Sequence, residues 1–342
     1  MNVWSLKDNY FCTGRAATAI YLILKAENMQ GKKVLFPANI CYAAIYPAIY
    51  AGCEPVFCDI DQVDGNVTYE GVCEYIGQVA AMVIPHMYGN PVQDIEKIQQ
   101  LCNRNKVLFI EDCASAMGAS VNSGRCGSFG DYSIFSTGYS KTIDIGNGGF
   151  LLTNQSIAKI QRYYEDLPVW NKEIEENESF FSKLYRLIRN NDKQTLDKYI
   201  WKGIQDNLKD MFLYQYPKID EQIQRAVAQL DATIGLRRKK QELYENQIIE
   251  TEFIRKYTFY DGAVPWRFCL LVSEEKKRML IDKLLERKVP VSDWYPVVTP
   301  IFGAENPYGN AYRMEKKIIN FPLLIDDKEI QRICNIINHL DL

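Results

Sequence analysis

Histidine is nearly missing from this chain: His86 and His339 are the only two in 342 residues. The ten cysteines are scattered, with no two in a Cys-x-x-Cys pair. No zinc constellation can be assembled from such spacing, and no metal is expected. A basic excess is missing too. Forty Lys and Arg face 43 Asp and Glu, for a net charge of −3. The broad positive field that nucleic acid or an acidic membrane needs is therefore excluded, and an anionic ligand has to be met locally by amides, hydroxyls and a few cations. No apolar run is long enough to span a membrane, and no signal peptide, internal repeat or low-complexity linker is read. The expectation is a soluble protein of the reducing cytoplasm whose cysteines serve as small buried hydrophobes.

What is present is ample apolar content, 47% of residues, enough for a large core and two domains. Short apolar runs alternate with helix-like stretches. Val34–Phe36, Pro55–Cys58, Ala81–Ile84 and Val107–Ile110 read as strands, separated by helices near Thr13–Leu24, Tyr42–Tyr50 and Ile95–Cys102. Thr13 reads as the N-cap of the first of these. This pitch predicts an α/β architecture with a mostly parallel sheet covered on both faces. Residues 168–216 break the pattern. They are charged and aromatic (Trp170, Tyr185, Tyr199, Trp201, Phe212, Tyr214, Tyr216) and read as helices that pack on the body, on a partner subunit, or against substrate or lipid. One helix from about Asp220 to about Glu252, with the stripe Ile223, Val227, Leu230 and Ile234, reads as a bridge to a second domain. That domain is expected to hold strands at Phe268–Val272 and Ile318–Leu323, a helix over Glu274–Arg287, and a last helix faced by Ile330, Ile333, Ile337 and Leu340.

The organising stretch runs from Val107 to Gly149. Its first apolar run ends in Glu111 and Asp112; a second, Tyr132–Phe135, ends in Ser136, Thr137 and then Lys141. Ligands of open α/β sheets sit beyond the carboxyl ends of the strands, where Asp112 and Ser136 fall. A lysine amine, an acid and a hydroxyl in such a place suit a pyridoxal cofactor. The lysine forms the Schiff base, the acid keeps the pyridine nitrogen protonated, and hydroxyls and amides meet the phosphate. Gly14, at the start of a helix, offers amides aligned with the positive end of its dipole.

The chain resembles the DegT family of pyridoxal-phosphate-dependent aminotransferases, of the aspartate-aminotransferase fold type I. PVFCDID (Pro55–Asp61), IPHMYGNP (Ile84–Pro91), IEDCASAMGA (Ile110–Ala119), GSFGDYSIFSTGYSK (Gly127–Lys141), GNGG (Gly146–Gly149) and WYPVV (Trp294–Val298) follow the family in order and spacing. The resemblance implies a large cofactor-binding domain over 1–235, built on a mostly parallel, mixed seven-stranded sheet flanked by helices, and a smaller C-terminal α/β domain over 236–342. It puts Lys141 on the Schiff-base lysine, Asp112 on the partner of the pyridine nitrogen, Ser136 on the phosphate serine and Gly14-Arg15 on the phosphate-binding glycine-threonine step. His86 falls near the cofactor face. Departures accompany these matches. Arg15 replaces a threonine, Ser115 a glutamine that flanks the cofactor, and Met117 a histidine. Cys41 occupies the ring-stacking position with Tyr42 beside it as the candidate stacking ring, and Tyr216-Pro217-Lys218 stands for the segment that reaches the partner's phosphate.

The activity implied is transfer of an amino group from an amino acid, with glutamate the usual donor, to the ketone of a nucleotide-linked sugar, in a homodimer with shared active sites. Lysine at 141 argues against the family's dehydratase offshoot, which carries histidine there. Two other readings stay open at this point. One is a pyridoxal enzyme for a non-sugar carbonyl; the other is a degenerate cofactor-binding homologue without catalysis.

Overall fold

The computed structural model describes residues 2–190, 198–302 and 308–340. Strands β1 (Asn9–Thr13), β2 (Lys33–Pro37), β3 (Glu54–Cys58), β4 (Ala81–Pro85) and β5 (Leu108–Asp112) belong to the principal sheet. After the short ribbon β6 (Ser120–Val121) and β7 (Gly124–Arg125), the sheet is completed by β8 (Tyr132–Ser136) and β9 (Gly149–Thr153). The order across it is β1-β9-β8-β5-β4-β2-β3, with β9 alone antiparallel to its neighbours. The expected mixed, mostly parallel seven-stranded sheet is present. A smaller antiparallel sheet joins β10 (Ile254–Lys256), β11 (Phe268–Val272) and β12 (Ile318–Phe321).

Every residue of β4, β5, β8 and β9 is buried, because helices cover both faces of these strands. The pleat deals alternate residues to opposite cores. Val34, Phe36, Ala81, Val83, Leu108, Ile110, Tyr132 and Ile134 face the helices Ala16–Ala26 and Tyr42–Tyr50. Leu35, Met82, Ile84 and Phe109 face the helix Ile95–Asn105. Phe135, Phe150 and Leu152 meet Ile219, Ile223, Val227, Leu230 and Ile234. Burying each of these large apolar side chains contributes roughly 1.5–3 kcal/mol.

Three expectations need correction. Thr13 is not a helix cap. It ends β1, and its hydroxyl lies 2.7 Å from the Arg15 carbonyl and 3.1 Å from that of Gly149, while Arg15 holds the cap position without a side-chain bond. The single helix expected near 220–252 is two, Ile219–Val227 and Leu230–Gln247. They are parted where Gln229 donates to Ala226 in a tightened turn. The whole predicted stripe is nonetheless buried, because the break leaves both pieces against the same core. Finally, β1 and β9 arise where no strand was read.

The second of those helices carries Leu230 and Ile234 into the core beneath the principal sheet and Tyr244 into the core of the smaller sheet. There Tyr244 stacks on Phe268 at 4.5 Å. Residues 168–216 form the helices Lys172–Asn190, Lys198–Asn207 and Lys209–Phe212. Phe181, Met211 and Phe212 bury themselves in the core that holds the first two helices. Segment 191–197 and the side chains of Tyr185, Tyr199 and Trp201 lie outside the described residues. All ten cysteines are free. Among the described residues no helix is long and apolar enough to cross a membrane.

At the end of β5 the pleat sends Glu111 and Asp112 to opposite faces. Glu111 is fully buried and accepts the amides of Gly127 (2.6 Å), Phe129 (2.8 Å) and Gly130 (3.0 Å), with His86 Nε2 at 3.0 Å. Burial alone would lift the pKa of this carboxyl. The His86 contact and the Gly127 and Gly130 amides outweigh that and hold it below its ordinary 4.5. A group whose folded pKa is depressed adds stability that is full above the unfolded pKa and fades as pH falls through the folded one. Glu111→Ala should therefore cost about 3 kcal/mol at pH 7 in denaturant titration, since it strands three buried amides. The penalty should shrink steadily below about pH 4.5; a penalty independent of pH would refute the carboxylate clamp.

Candidate active site

The face opposite Glu111 gathers the chemistry. Asp112 is almost fully buried; its Oδ1 accepts the Ala114 amide at 2.8 Å, and no hydrogen-bond donor meets Oδ2 among the described residues. Burial raises its pKa, against the Ala114 amide and the nearby charges of Lys141 and His86. Lys141 arrives from the loop after β8. Its Nζ donates to Ser115 Oγ at 3.2 Å, and Tyr295 Oη lies 3.4 Å from that same oxygen. Burial disfavours the ammonium, yet the Tyr295 hydroxyl, the Cys41 thiol and the Asp112 carboxylate around it prevail, and its pKa is raised. The lysine is thus held as a cation within the electrostatic reach of Asp112.

The lysine loop is fastened from several sides. Arg237 donates from Nη2 to the Lys141 carbonyl at 2.5 Å and from Nη1 to that of Trp266 at 2.8 Å, so one guanidinium ties the loop to the entrance of β11. Trp266 Nε1 donates to the Ser140 carbonyl at 2.6 Å. The Trp266 ring stacks on Tyr295 at 5.2 Å and lies 6.0 Å from Lys141 Nζ. At the far end of the site, Ser136 Oγ takes the Gly138 amide at 3.3 Å. Gly148, in the left-handed region at φ +89°, donates to the Gly14 carbonyl at 2.8 Å and closes the turn against β1.

Lys141, Asp112 and Ser115 come together, with Ser136 and Gly14 at the adjoining strand and helix ends. Three expected site residues do other work. Arg15 does not point to an open phosphate site: its Nη1 is ion-paired with Glu178 and donates to the Met211 carbonyl at 3.0 Å. Tyr42 packs on Phe181 at 5.2 Å and on Tyr46 at 6.4 Å, which makes it a core contact of the 172–190 helix. Cys41, next to Tyr42 in sequence, is a neighbour that Lys141, Asp112 and Arg15 all influence. His86 is turned away from the cofactor face. Its Nδ1 lies 2.9 Å from the Val92 amide nitrogen and its Nε2 faces Glu111, so the ring is a buried strut between β4 and the 126–130 loop. The ligand atoms of His86, Glu111 and Cys113 lie within 4.8 Å of one another, but the Glu111 oxygens are already occupied by amides.

Sequence reasoning missed Tyr295, Trp266, Arg237, Glu178 and Tyr214. The motif WYPVV contained Tyr295 without giving it a role; the others carry no local signal. The segment Tyr216-Pro217-Lys218 borders a cleft of about 550 Å³ with Phe11, Cys12 and Tyr164, at the outer edge of β1.

Gly14 is buried beneath the Tyr214 ring, which fills the place a Cβ would take. Gly14→Ala should lower stability by about 1–3 kcal/mol in denaturant titration. A double-mutant cycle with Tyr214→Leu should show coupling of about 1 kcal/mol or more. An unchanged midpoint for Gly14→Ala would show that the ring is not packed there.

Three comparisons bear on this arrangement. GDP-perosamine synthase of Vibrio cholerae is 33% identical over 168 residues, covering 45% of this chain and 46% of that protein. A UDP-N-acetyl-3-dehydro-alpha-D-glucosamine 3-aminotransferase of Acidithiobacillus ferrooxidans is 32% identical over 172 residues, covering 46% of each. These matches span about half the length of the curated relatives. Among solved structures, Helicobacter pylori PseC, an aminotransferase involved in pseudoaminic acid biosynthesis, superposes with a TM-score of 0.75 at 16% identity, covering 98% of this chain and 88% of that one. E. coli GDP-4-keto-6-deoxy-D-mannose-3-dehydratase with bound hydrated PLP gives 0.72 at 17%, covering 98% and 88%, and both show the same fold. Residues 7–180, just over half the chain, match the family model itself. The chain belongs to the DegT/DnrJ/EryC1/StrS aminotransferase family.

Proposed function

We propose that this protein is a pyridoxal-phosphate-dependent aminotransferase that moves an amino group from an amino acid, with glutamate as donor, to the ketone of a nucleotide-linked sugar. The observation that carries the reading is the meeting of Lys141, Asp112 and Ser115 beyond the carboxyl ends of β5 and β8. The donor set fits the cofactor. Asp112, buried and with one oxygen lacking a donor, suits a protonated ring nitrogen. The Ser136 hydroxyl, the Gly138 amide and the amides at the start of the Ala16–Ala26 helix suit a phosphate. Cys41 borders the space between them.

When bound, pyridoxal phosphate supplies an aldehyde that takes up amines and an electron sink for the carbon next to them. The chain's own groups do the rest. Lys141 Nζ would hold the cofactor and, as a free amine, would carry the proton that leaves the donor's α-carbon. Ser115 and the Tyr295 hydroxyl orient that amine. Arg237 keeps its backbone in register from below. The large unit, 1–235, would hold the cofactor and the small unit, 236–342, would bring Tyr295 and Trp266 over it. The family matches support an amino-sugar product, the free cysteines suit a reducing cytoplasm, and sites shared across a homodimer fit the placement of Tyr216-Pro217-Lys218 at an edge cleft.

Purified protein supplied with pyridoxal phosphate should be yellow. Lys141→Ala should abolish the visible band, and glutamate should bleach it in the wild type with release of one 2-oxoglutarate per cofactor. Lys141→Ala activity below about a thousandth of wild type is expected, since the lysine acts in both half-reactions. A protein that stays colourless, or a coloured one indifferent to amino acids, would remove the reading.

A further inference from the structure

The start of the Ala16–Ala26 helix already holds an anion of the chain's own. The Lys172–Asn190 helix carries Glu173, Glu175, Glu176 and Glu178 in its first two turns. The first three are exposed; Glu178 is half-buried and pairs with Arg15 Nη1. That nitrogen also donates to the Met211 carbonyl at 3.0 Å, and the guanidinium lies 5.9 Å from the centroid of the Phe212 ring. Arg15 Nε and Nη2 meet no acceptor among the described residues. Backbone pairing puts Arg15 beside the proposed phosphate donors. Arg15 bridges to Gly148, whose carbonyl accepts the Thr137 amide at 3.1 Å, so Arg15 stands one strand away from Ser136-Thr137-Gly138. The ion pair itself is not sealed: 30% of the Arg15 side chain and 33% of the Glu178 side chain face solvent, and a pair that wet is held weakly.

We propose that Glu178 is a built-in competitor for the cofactor's phosphate, holding Arg15 until a phosphate reaches the helix start and then yielding it; the inference rests on the cofactor reading above. A phosphate brings more charge than a carboxylate and more oxygens for the planar fork, so the exchange favours it. The affinity for the phosphate is then lowered by the fraction of molecules in which Glu178 holds the arginine. The coupling is reciprocal: a bound phosphate also frees Glu178, and the Lys172–Asn190 helix is left to its buried Ile174 and Phe181.

Four cofactor-free proteins test this by calorimetry: wild type, Glu178→Gln, Arg15→Gln and the double variant. Each is titrated with pyridoxal phosphate, with pyridoxal, which lacks the phosphate, and with inorganic phosphate. Glu178→Gln should bind pyridoxal phosphate and inorganic phosphate about 5- to 10-fold more tightly, because the arginine is no longer held. Pyridoxal should change less than about twofold in every variant, since the competition concerns the phosphate alone. With Arg15 replaced, adding Glu178→Gln should change phosphate binding less than about twofold; the double variant carries neutral amides in both places and leaves no charge without its partner. Equal pyridoxal phosphate affinity in wild type and Glu178→Gln, the same tightening with Arg15 replaced, or a parallel shift for pyridoxal would each overturn the competition. A chain that binds no pyridoxal phosphate would sink the cofactor reading alone, since the inorganic phosphate titration still decides whether Glu178 and a phosphate compete for Arg15.

Discussion

One turn of the pleat at the end of β5 sets two adjacent carboxylates to opposite tasks. Glu111 goes to the face where three amides and a histidine wait; Asp112 goes to the face where one amide and a lysine wait. The first carboxylate is satisfied and holds the 126–130 loop against the sheet, with Lys7 Nζ clamping the Gly130 carbonyl from outside at 2.6 Å. The second is left under-satisfied, with one oxygen that no donor meets among the described residues. Because that loop leads directly into β8, the Glu111 clamp also fixes where β8 ends, and so where Ser136 and Lys141 begin. A one-residue slip of β5 would exchange the two acids and destroy both the clamp and the site.

Much of the frame was legible because parallel strands buried on both faces leave continuous apolar runs. Val34–Phe36, Ala81–Ile84 and Tyr132–Phe135 all lie within observed strands. The edge strand β1, Asn9-Tyr-Phe-Cys-Thr, was not read, since only Thr13 within it is buried and its pattern carries no period. The strand β9 opens on the last glycine of GNGG, which reads as loop until its pairing with β1 and β8 is known. The helix break at Ala228-Gln229 leaves no mark, because neither residue is a breaker and the apolar stripe runs straight across it.

At the site, the residues close in sequence to the lysine were legible and those brought in from afar were not. Asp112, Ser115, Ser136 and Lys141 lie within one stretch whose spacing follows the strands. Arg237, Trp266 and Tyr295 come from elements 96 to 154 positions later, and nothing in their local pattern says which way they face. Arg15 and His86 were misread for one shared reason: a polar side chain near a ligand site was read as serving it, whereas each already had a carboxylate partner within the fold. Glu178 lies 163 residues from Arg15, in the stretch whose pattern was least regular.

The position of charge across the site follows from those partners. Arg15 caps the Ala16–Ala26 helix, where a cation meets the positive end of the dipole and is disfavoured. Glu178 sits against it and removes that conflict, at the cost of an arginine that could otherwise meet a phosphate. With Tyr214 lying over Gly14 as well, the helical segment 172–216 neutralises and covers one end of the site. At the other end, among the described residues, Arg237 and Arg267 stand near the lysine loop and donate to carbonyls and hydroxyls. Two opposed ends follow, one that presents hydroxyls and amides and one where guanidinium groups face neutral acceptors. The helical segment 172–216 thus balances charge at one end of the candidate site, through Glu178 on Arg15 and Tyr214 on Gly14.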